Sequence, residues 1–265
     1  MSTRILLADS LVLARRNLEH VRQLPEKLLD VTIQPVMFVL LFAFVFGNVI
    51  AVPGGNYREY LIAGIMVQSL GFGLMGPAVS IATDLREGVV DRLRTLPMAR
   101  AAYLTGHVLA ELAALVLAVT VLSIAGLVVG WTIHSDLLHA AAGFGLVMLF
   151  AFAMLWCGTL LGLIVRTPDA AQGIVFMTVF PMTFLASTFV PIAGFSPGLR
   201  TIAAWNPVSA MAAAVRTLFG NPAAIPADAA WPLRHCVPVA AGWCLLLLAV
   251  AIPLTLRAFR QRTDG

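Results

Sequence analysis

The position of the chain's single lysine bears on nucleotide chemistry. A phosphate-binding P-loop needs the pattern Gly-x-x-x-x-Gly-Lys-Ser/Thr, because its lysine reaches the β- and γ-phosphates of the nucleotide. The only lysine here is Lys27, which lies in the unrelated run Pro25-Glu26-Lys27-Leu28. The sequence therefore predicts that this chain does not bind ATP through that motif. We expect no catalytic residue and no cofactor on this polypeptide.

The candidate metal ligands are scattered along the chain. The cysteines form no Cys-x-x-Cys pair, and two of them, Cys157 and Cys244, fall in apolar runs. A structural zinc site needs about four ligands at short spacings, so the sequence predicts no metal site. The remaining candidates are Cys236 and the histidines at 20, 107, 134, 139 and 235.

Glu111 is the one acidic residue well inside a long apolar stretch. A carboxylate at membrane depth is by default a functional hypothesis, such as an intramembrane polar site for transport. The structural alternative is that Glu111 lies about two turns from one end of its helix. There it could meet His107, four residues earlier, or an arginine. Both interpretations stay open.

Residues 84–103 form the most charged stretch between apolar runs. A short helix from Glu87 to Arg94 would place Val89, Leu93 and Leu96 on one side. Such a helix can dock into a groove on a partner protein. The alternative is a solvated loop whose charges keep it on one side of a membrane.

The composition indicates a membrane protein. Of the 265 residues, 60% are apolar and 11% are charged, and the mean hydropathy is +0.93, whereas a soluble domain carries about 25% charged residues. The net charge of +4 could suggest nucleic acid in a soluble protein. Here we expect the basic residues to hold loops in the cytoplasm, so no nucleic-acid partner is predicted.

The hydropathy pattern predicts an all-α integral membrane fold with six transmembrane helices. Residues 3–23 are predicted to form an amphipathic interfacial helix. Residues 191–236 hold six of the 15 prolines, and their apolar pieces, 199–205 and 208–219, are too short to cross, which suggests re-entrant or interfacial helices. The predicted spans are 31–52, 60–83, 104–130, 138–165, 170–190 and 237–256.

Local signals refine these elements. The glycines of the second span, Gly64, Gly71, Gly73 and Gly76, would let a neighbouring helix approach closely. Pro77 could kink that span, and Thr167 or Asp169 could cap the fifth.

The distribution of basic residues predicts the orientation. With the N-terminus inside, most of the 17 lysine and arginine residues fall on the inner side. Both termini and the 84–103 loop should then be cytoplasmic, and 191–236 should be external. Arg216 is accordingly predicted to be exposed outside or in the re-entrant loop.

Motifs along nearly the whole chain carry a family resemblance. The inner loop fits the pattern Asp-x-x-x-Gly-x-x-x-Arg-x-Arg-x-x-Pro-x-x-Arg. The matching residues are Gln34-Pro35, Phe46-Gly47, Tyr60-Leu61, Gly64, Asp84, Gly88, Arg92, Arg94, Pro97, Arg100, Gly106, Phe180-Pro181, Phe184-Leu185, Phe189-Val190-Pro191, Pro197, Leu199, Trp205-Asn206-Pro207, Arg216 and Leu218-Phe219-Gly220.

In these positions the chain resembles ABC-2 type transporter permeases of the daunorubicin-resistance kind. The resemblance implies one ABC-2 type transmembrane domain over 1–265, with 3–23 as a connecting helix and 191–236 as a re-entrant helical hairpin before the last span. It implies that 84–103 is a coupling helix on a separate ATP-binding subunit, which holds the ATP and magnesium. The coupling residues would be Asp84, Glu87, Gly88, Arg92, Arg94, Leu96, Pro97 and Arg100, and the outer gate would comprise Pro191, Asn206, Pro207 and Arg216.

The resemblance also implies a function. The chain would be one permease of a pair, either a homodimer or a heterodimer, in a bacterial cytoplasmic membrane. The pair would export an amphipathic drug, antibiotic or lipid through an apolar path. The alternative is a secondary transporter driven by an ion gradient, which would need coupling-ion ligands near the membrane midplane. A membrane enzyme is disfavoured because no cluster of acids or histidines is evident.

Overall fold

The computed structural model describes residues 25–47, 49–89, 100–225 and 228–264, and these residues are helical nearly throughout. Their one β-type pairing is an isolated bridge between Val52 and Gly55. The predicted connecting helix 3–23 lies outside the described residues. The helices are α1 (Pro25–Val45), α2 (Tyr57–Phe72), α3 (Met75–Arg86), α4 (Arg100–Val129), α5 (Leu137–Ile164), α6 (Pro168–Phe184), α7 (Pro197–Trp205), α8 (Pro207–Phe219), α9 (Trp231–Arg234) and α10 (Cys236–Asp264).

The long helices run between two ends of one bundle. At the first end, Nη1 of Arg58 donates to the carbonyl of Val129 across 3.2 Å. At the second end, the hydroxyl of Tyr103 donates to Asp84. We call the first the hairpin end, because α7 and α8 lie there, and the second the tail end, because α10 finishes there.

Four helical stretches are long and apolar enough to cross a membrane: Tyr57–Arg86, Tyr103–Val129, Leu137–Ile164 and Cys236–Gln261. Helix α1 has 21 residues, and α6 has 17. At 1.5 Å per residue, they measure about 32 and 25 Å, against a hydrocarbon core of about 30 Å. The six-span count therefore stays a prediction.

The second candidate span is broken in its middle. Helix α2 ends at Phe72, and α3 begins at Met75. Pro77 lacks an N–H for the carbonyl four residues earlier, which belongs to Gly73, and its ring crowds that turn. The break lies where the sequence predicted a proline kink.

Helix α5 lies at the centre of the bundle and packs against α10, α3, α8 and α4. Its approach to α3 depends on glycine: a Cβ on Gly158 would lie 2.1 Å from the carbonyl oxygen of Leu74, and one on Gly162 would lie 2.7 Å from that of Ala78. Gly64 on α2 also permits a close approach, but to the non-helical segment after α6 and not to the predicted neighbouring helix: a Cβ there would lie 2.0 Å from the Thr188 carbonyl oxygen. Backbone contacts of this kind are typical of helices packed in membranes.

Large apolar side chains cover much of the outer surface. Phe44 is 70% exposed and Met177 is 81% exposed. Patches of this kind are rare on soluble monomers. The surface fits a bundle surrounded by lipid or by a second membrane chain.

The glycine contact on α5 can be tested with two matched substitutions. Gly158→Ala should lower the free energy of unfolding by about 1–3 kcal/mol, because the new methyl group meets a backbone carbonyl. Gly145→Ala on the same helix meets nothing within 4 Å and should be neutral or stabilise by up to about 1 kcal/mol. Thermal unfolding in detergent measures both, and equal stability of the two variants would contradict the packing.

Candidate functional site: the hairpin end of the bundle

The hairpin is two short helices joined at one residue. Asn206 ends α7 and begins α8, and its side-chain oxygen accepts from the Val208 N–H across 2.9 Å. Pro207 occupies the first turn of α8, where its missing N–H costs little. Helix α8 ends at Gly220, which adopts a left-handed conformation with φ of +70°, as favoured by glycine at this cap. The predicted apolar pieces are thus both helical.

Helix α8 is an inner element of the bundle. All of its residues are buried except Pro207, which is half-buried, and Thr217, which is exposed. It packs against α10, α5 and α2. The phenyl ring of its last residue, Phe219, lies 4.9 Å from the ring of Phe144 on α5.

Arg216 is the central polar residue of this helix and is completely buried. Its Nε donates to the carbonyl of Tyr60 across 2.8 Å, and its Nη2 donates to the carbonyl of Thr188 across 3.0 Å. Its Cζ lies 3.4 Å from the centroid of the Tyr60 ring. A cation over an aromatic face gains about 2 kcal/mol when both are desolvated.

The prediction that Arg216 is exposed is wrong. Its guanidinium is held by two backbone carbonyls and an aromatic ring inside the bundle, so it behaves as a structural cation. The sequence did contain a signal for this burial: Arg216 is the one charged residue in a helix that otherwise holds apolar and small residues. Charges in such positions usually face the bundle interior.

The non-helical segment after α6 takes its hydrogen bonds from side chains. The hydroxyl of Tyr60 donates to the carbonyl of Ser187 across 2.6 Å. The N–H of Ser187 donates to Oγ of Ser209 across 3.0 Å, and Nδ2 of Asn206 donates to the carbonyl of Met182 across 2.7 Å. Exposed backbone groups are not tolerated in lipid, so these side chains allow the helix to stop within the bundle.

Two further hydrogen bonds join the residue after the end of α8 to the turn between α4 and α5. Nε1 of Trp131 donates to Oδ1 of Asn221 across 2.8 Å, and Nδ2 of Asn221 donates to the carbonyl of Thr132 across 2.7 Å. In the sequence analysis this segment is only the short connection between the predicted spans 104–130 and 138–165. Neither Trp131 nor Asn221 belongs to a local motif. Because they are ninety positions apart, no spacing pattern in the sequence links them.

Aromatic rings join the segment after α6 to α1. The ring of Phe189 lies 4.6 Å from Phe42 and 5.1 Å from Phe184. The buried residue Pro191 follows and precedes a single 3₁₀ turn, Ile192–Gly194. Of the predicted gate residues, Asn206 and Pro207 lie at the junction of the two hairpin helices, whereas Pro191 lies before the 3₁₀ turn that precedes α7.

One segment matches the hydrolase motif Gly-x-Ser-x-Gly in sequence alone. Residues 194–198 read Gly-Phe-Ser-Pro-Gly, as in a nucleophile elbow, which requires a turn between a strand and a helix. Here Ser196 follows a 3₁₀ turn and begins α7. The structural context of the motif is therefore missing around Ser196.

Only part of the predicted coupling loop is described. Asp84 accepts from the Tyr103 hydroxyl, Glu87 is exposed, and Gly88 has a left-handed φ of +68°. The Arg100 backbone begins α4. The side chains of Arg92, Arg94, Leu96, Pro97 and Arg100 lie outside the described residues, so their coupling role stays a prediction.

Glu111 lies beside the break between α2 and α3. It is buried, and a Cβ on Gly76 would lie 2.8 Å from its Oε2. The sequence predicted an intramembrane position, and whether the residue is structural or serves transport stays open. Within the described ranges, histidine, cysteine and acidic side chains form no group of three that could hold a metal ion.

The Arg216 contacts can be tested by a substitution that keeps the positive charge and removes the branched guanidinium group. Arg216→Lys should lower the free energy of unfolding by about 2–4 kcal/mol, because one ammonium cannot reach two divergent carbonyls and stack on a ring. Arg200→Lys, at the ion pair with Asp228, should change it by less than about 0.5 kcal/mol. Chemical denaturation in detergent compares them, and a tolerated Arg216→Lys would exclude this role.

Known proteins similar to the chain share this membrane character. A daunorubicin resistance ABC transporter permease protein, DrrB1, from Streptomyces coeruleorubidus is 28% identical over 91% of this chain and 82% of that protein. A doxorubicin resistance ABC transporter permease protein, DrrB, from Mycobacterium tuberculosis is 22% identical over 67% of this chain and 62% of that protein. The family model of the ABC-2 type transporter matches residues 10–219, and the chain therefore belongs to the ABC-2 type transporter family.

Proposed function

We propose that this chain is the membrane-embedded permease of an ATP-driven exporter for amphipathic drugs, antibiotics or lipids. The observation that carries the proposal is the family match over residues 10–219, together with similarity along 91% of the chain to a permease named for daunorubicin resistance. ATP would be hydrolysed on a separate subunit, and two permease chains would enclose the path. The apolar bundle suits such cargo better than ions, which need charged or carbonyl rings.

The proposed topology has six crossings in a bacterial cytoplasmic membrane. The four long apolar helices support it, and the excess of basic residues at the tail end favours a cytoplasmic position for that end. α1 and α6 would complete the count, the shorter α6 through local adjustment of the bilayer. The hairpin α7–α8 would enter the outer half of the membrane and return.

The proposed mechanism uses the broken span as the mechanical link. α3 leads to Asp84 beside the coupling loop, and α2 carries Tyr60, which contacts the hairpin through Arg216. The break between Phe72 and Met75 would let the two halves change their relative angle. ATP-driven movement of the loop at the tail end would then change the path at the hairpin end, with free energy supplied by different contacts in the two states.

The topology can be tested by labelling single cysteines in a chain whose native cysteines are replaced by alanine. Gly194→Cys, exposed at the hairpin end, should react with a membrane-impermeant maleimide in intact cells. Gln261→Cys, exposed at the tail end, should react only after permeabilisation. The reverse pattern would contradict the orientation.

The function can be tested by reconstituting the chain in liposomes with its cognate ATP-binding subunit. We expect daunorubicin to stimulate ATP hydrolysis. Arg92→Glu should abolish both this stimulation and co-purification of the two subunits, because it reverses a charge in the proposed docking helix.

The matched control is Arg200→Glu at the opposite end of the bundle, which should leave hydrolysis and co-purification unchanged. An Arg92→Glu complex that purifies and responds like the unaltered one would exclude the docking role. ATP hydrolysis by the permease alone would contradict the proposal that ATP is hydrolysed on a separate subunit. A screen of further amphipathic compounds in the same assay defines the cargo.

A further inference from the structure

The charge of Arg216 is not neutralised by any carboxylate among the described residues. The side chain is completely buried, and its two hydrogen bonds go to neutral backbone carbonyls. In the part of the chain that the structure describes, no acceptor lies within hydrogen-bond distance of its Nη1. An uncompensated ion in a protein interior costs several kcal/mol even after relaxation, so Nη1 is the position where a compensating charge would gain most.

Three residues around this contact, Tyr57, Ser187 and Thr188, also carry buried hydroxyl groups that have no hydrogen-bond partner among the described residues. The residues adjoin the same contact. The Tyr57 ring stacks 6.4 Å from the Tyr60 ring, the Ser187 carbonyl accepts from the Tyr60 hydroxyl, and the Thr188 carbonyl accepts from Arg216. Buried polar groups in native proteins nearly always have partners.

We propose that Nη1 of Arg216 and these hydroxyl groups bind a small monovalent anion of the halide class. All four groups can donate hydrogen bonds, and the guanidinium supplies the opposite charge. Water could accept those hydrogen bonds but would leave the positive charge uncompensated. The close contacts at Gly64, where a Cβ would meet the Thr188 carbonyl at 2.0 Å and Nη2 at 2.9 Å, favour a small ion over a carboxylate or phosphate.

The bound anion would stabilise the contact between the hairpin and α2. Arg216 lies on α8, Tyr57 lies on α2, and Ser187 and Thr188 lie on the segment after α6. One ion would therefore join three separate parts of the chain. This site requires neither an ATP-binding subunit nor a cargo, so its test is independent of the proposed exporter function.

The test is thermal unfolding of the purified full chain in detergent, with chloride or bromide replaced by gluconate at constant ionic strength. We expect halide to raise the unfolding temperature saturably, by about 2–4 °C, since a ligand that binds only the folded state stabilises it by mass action. An unfolding temperature that is the same in halide and gluconate would overturn the proposal.

Two variants locate the effect. Thr188→Val and Tyr57→Phe each remove one unpaired hydroxyl and keep the shape of the side chain, and each should weaken the apparent halide affinity at least fivefold. The matched control is Thr159→Val, which removes a buried hydroxyl that donates to Leu155 within α5, and its halide response should stay unchanged. A full response in both site variants, or an equal loss in the control, would show that halide acts elsewhere.

Discussion

The backbone of the segment between α6 and α7 must find hydrogen-bond partners inside an apolar bundle, and Arg216 and Tyr60 supply two of them. Their side chains donate to the carbonyls of Thr188 and Ser187. The Ser209 hydroxyl accepts a hydrogen bond from the Ser187 N–H, and the Asn206 side chain donates one to the Met182 carbonyl. Because unsatisfied backbone groups are costly in lipid, an interrupted helix at this depth requires such side chains. The hairpin, its burial and its link to α2 all depend on these contacts.

The broken span α2–α3 runs from these contacts to the opposite end of the bundle. Tyr60 lies near the start of the broken span, and Asp84 lies near its far end. Between them, Gly158 and Gly162 hold α5 tightly against α3. Tight packing resists continuous deformation, so movement along this span would be concentrated at the break near Gly73. That arrangement suits a permease that responds to a separate motor subunit.

Composition and hydropathy predicted the membrane class and the helical fold, because exclusion from water acts on each apolar stretch locally. Thr167 or Asp169 was predicted to cap the fifth span, and Thr167 does cap α6, accepting from the Ala170 N–H across 3.2 Å. The burial of Arg216 was not predicted, because its partners on α2 and after α6 are 156 and 28 residues away. The hydrogen bond between Trp131 and Asn221 was not predicted for the same reason. Long-range pairs leave no periodic trace in a single sequence.

The most direct test of the central claim is amide hydrogen exchange of α8 in detergent. In the unaltered chain, the amides of 207–219 should exchange as slowly as those of the inner face of α5. In an Arg216→Met chain they should exchange at least tenfold faster, while α5 keeps its protection, because local opening of the hairpin then costs less free energy. Rapid exchange of α8 in the unaltered chain, or equal protection in both chains, would contradict the account.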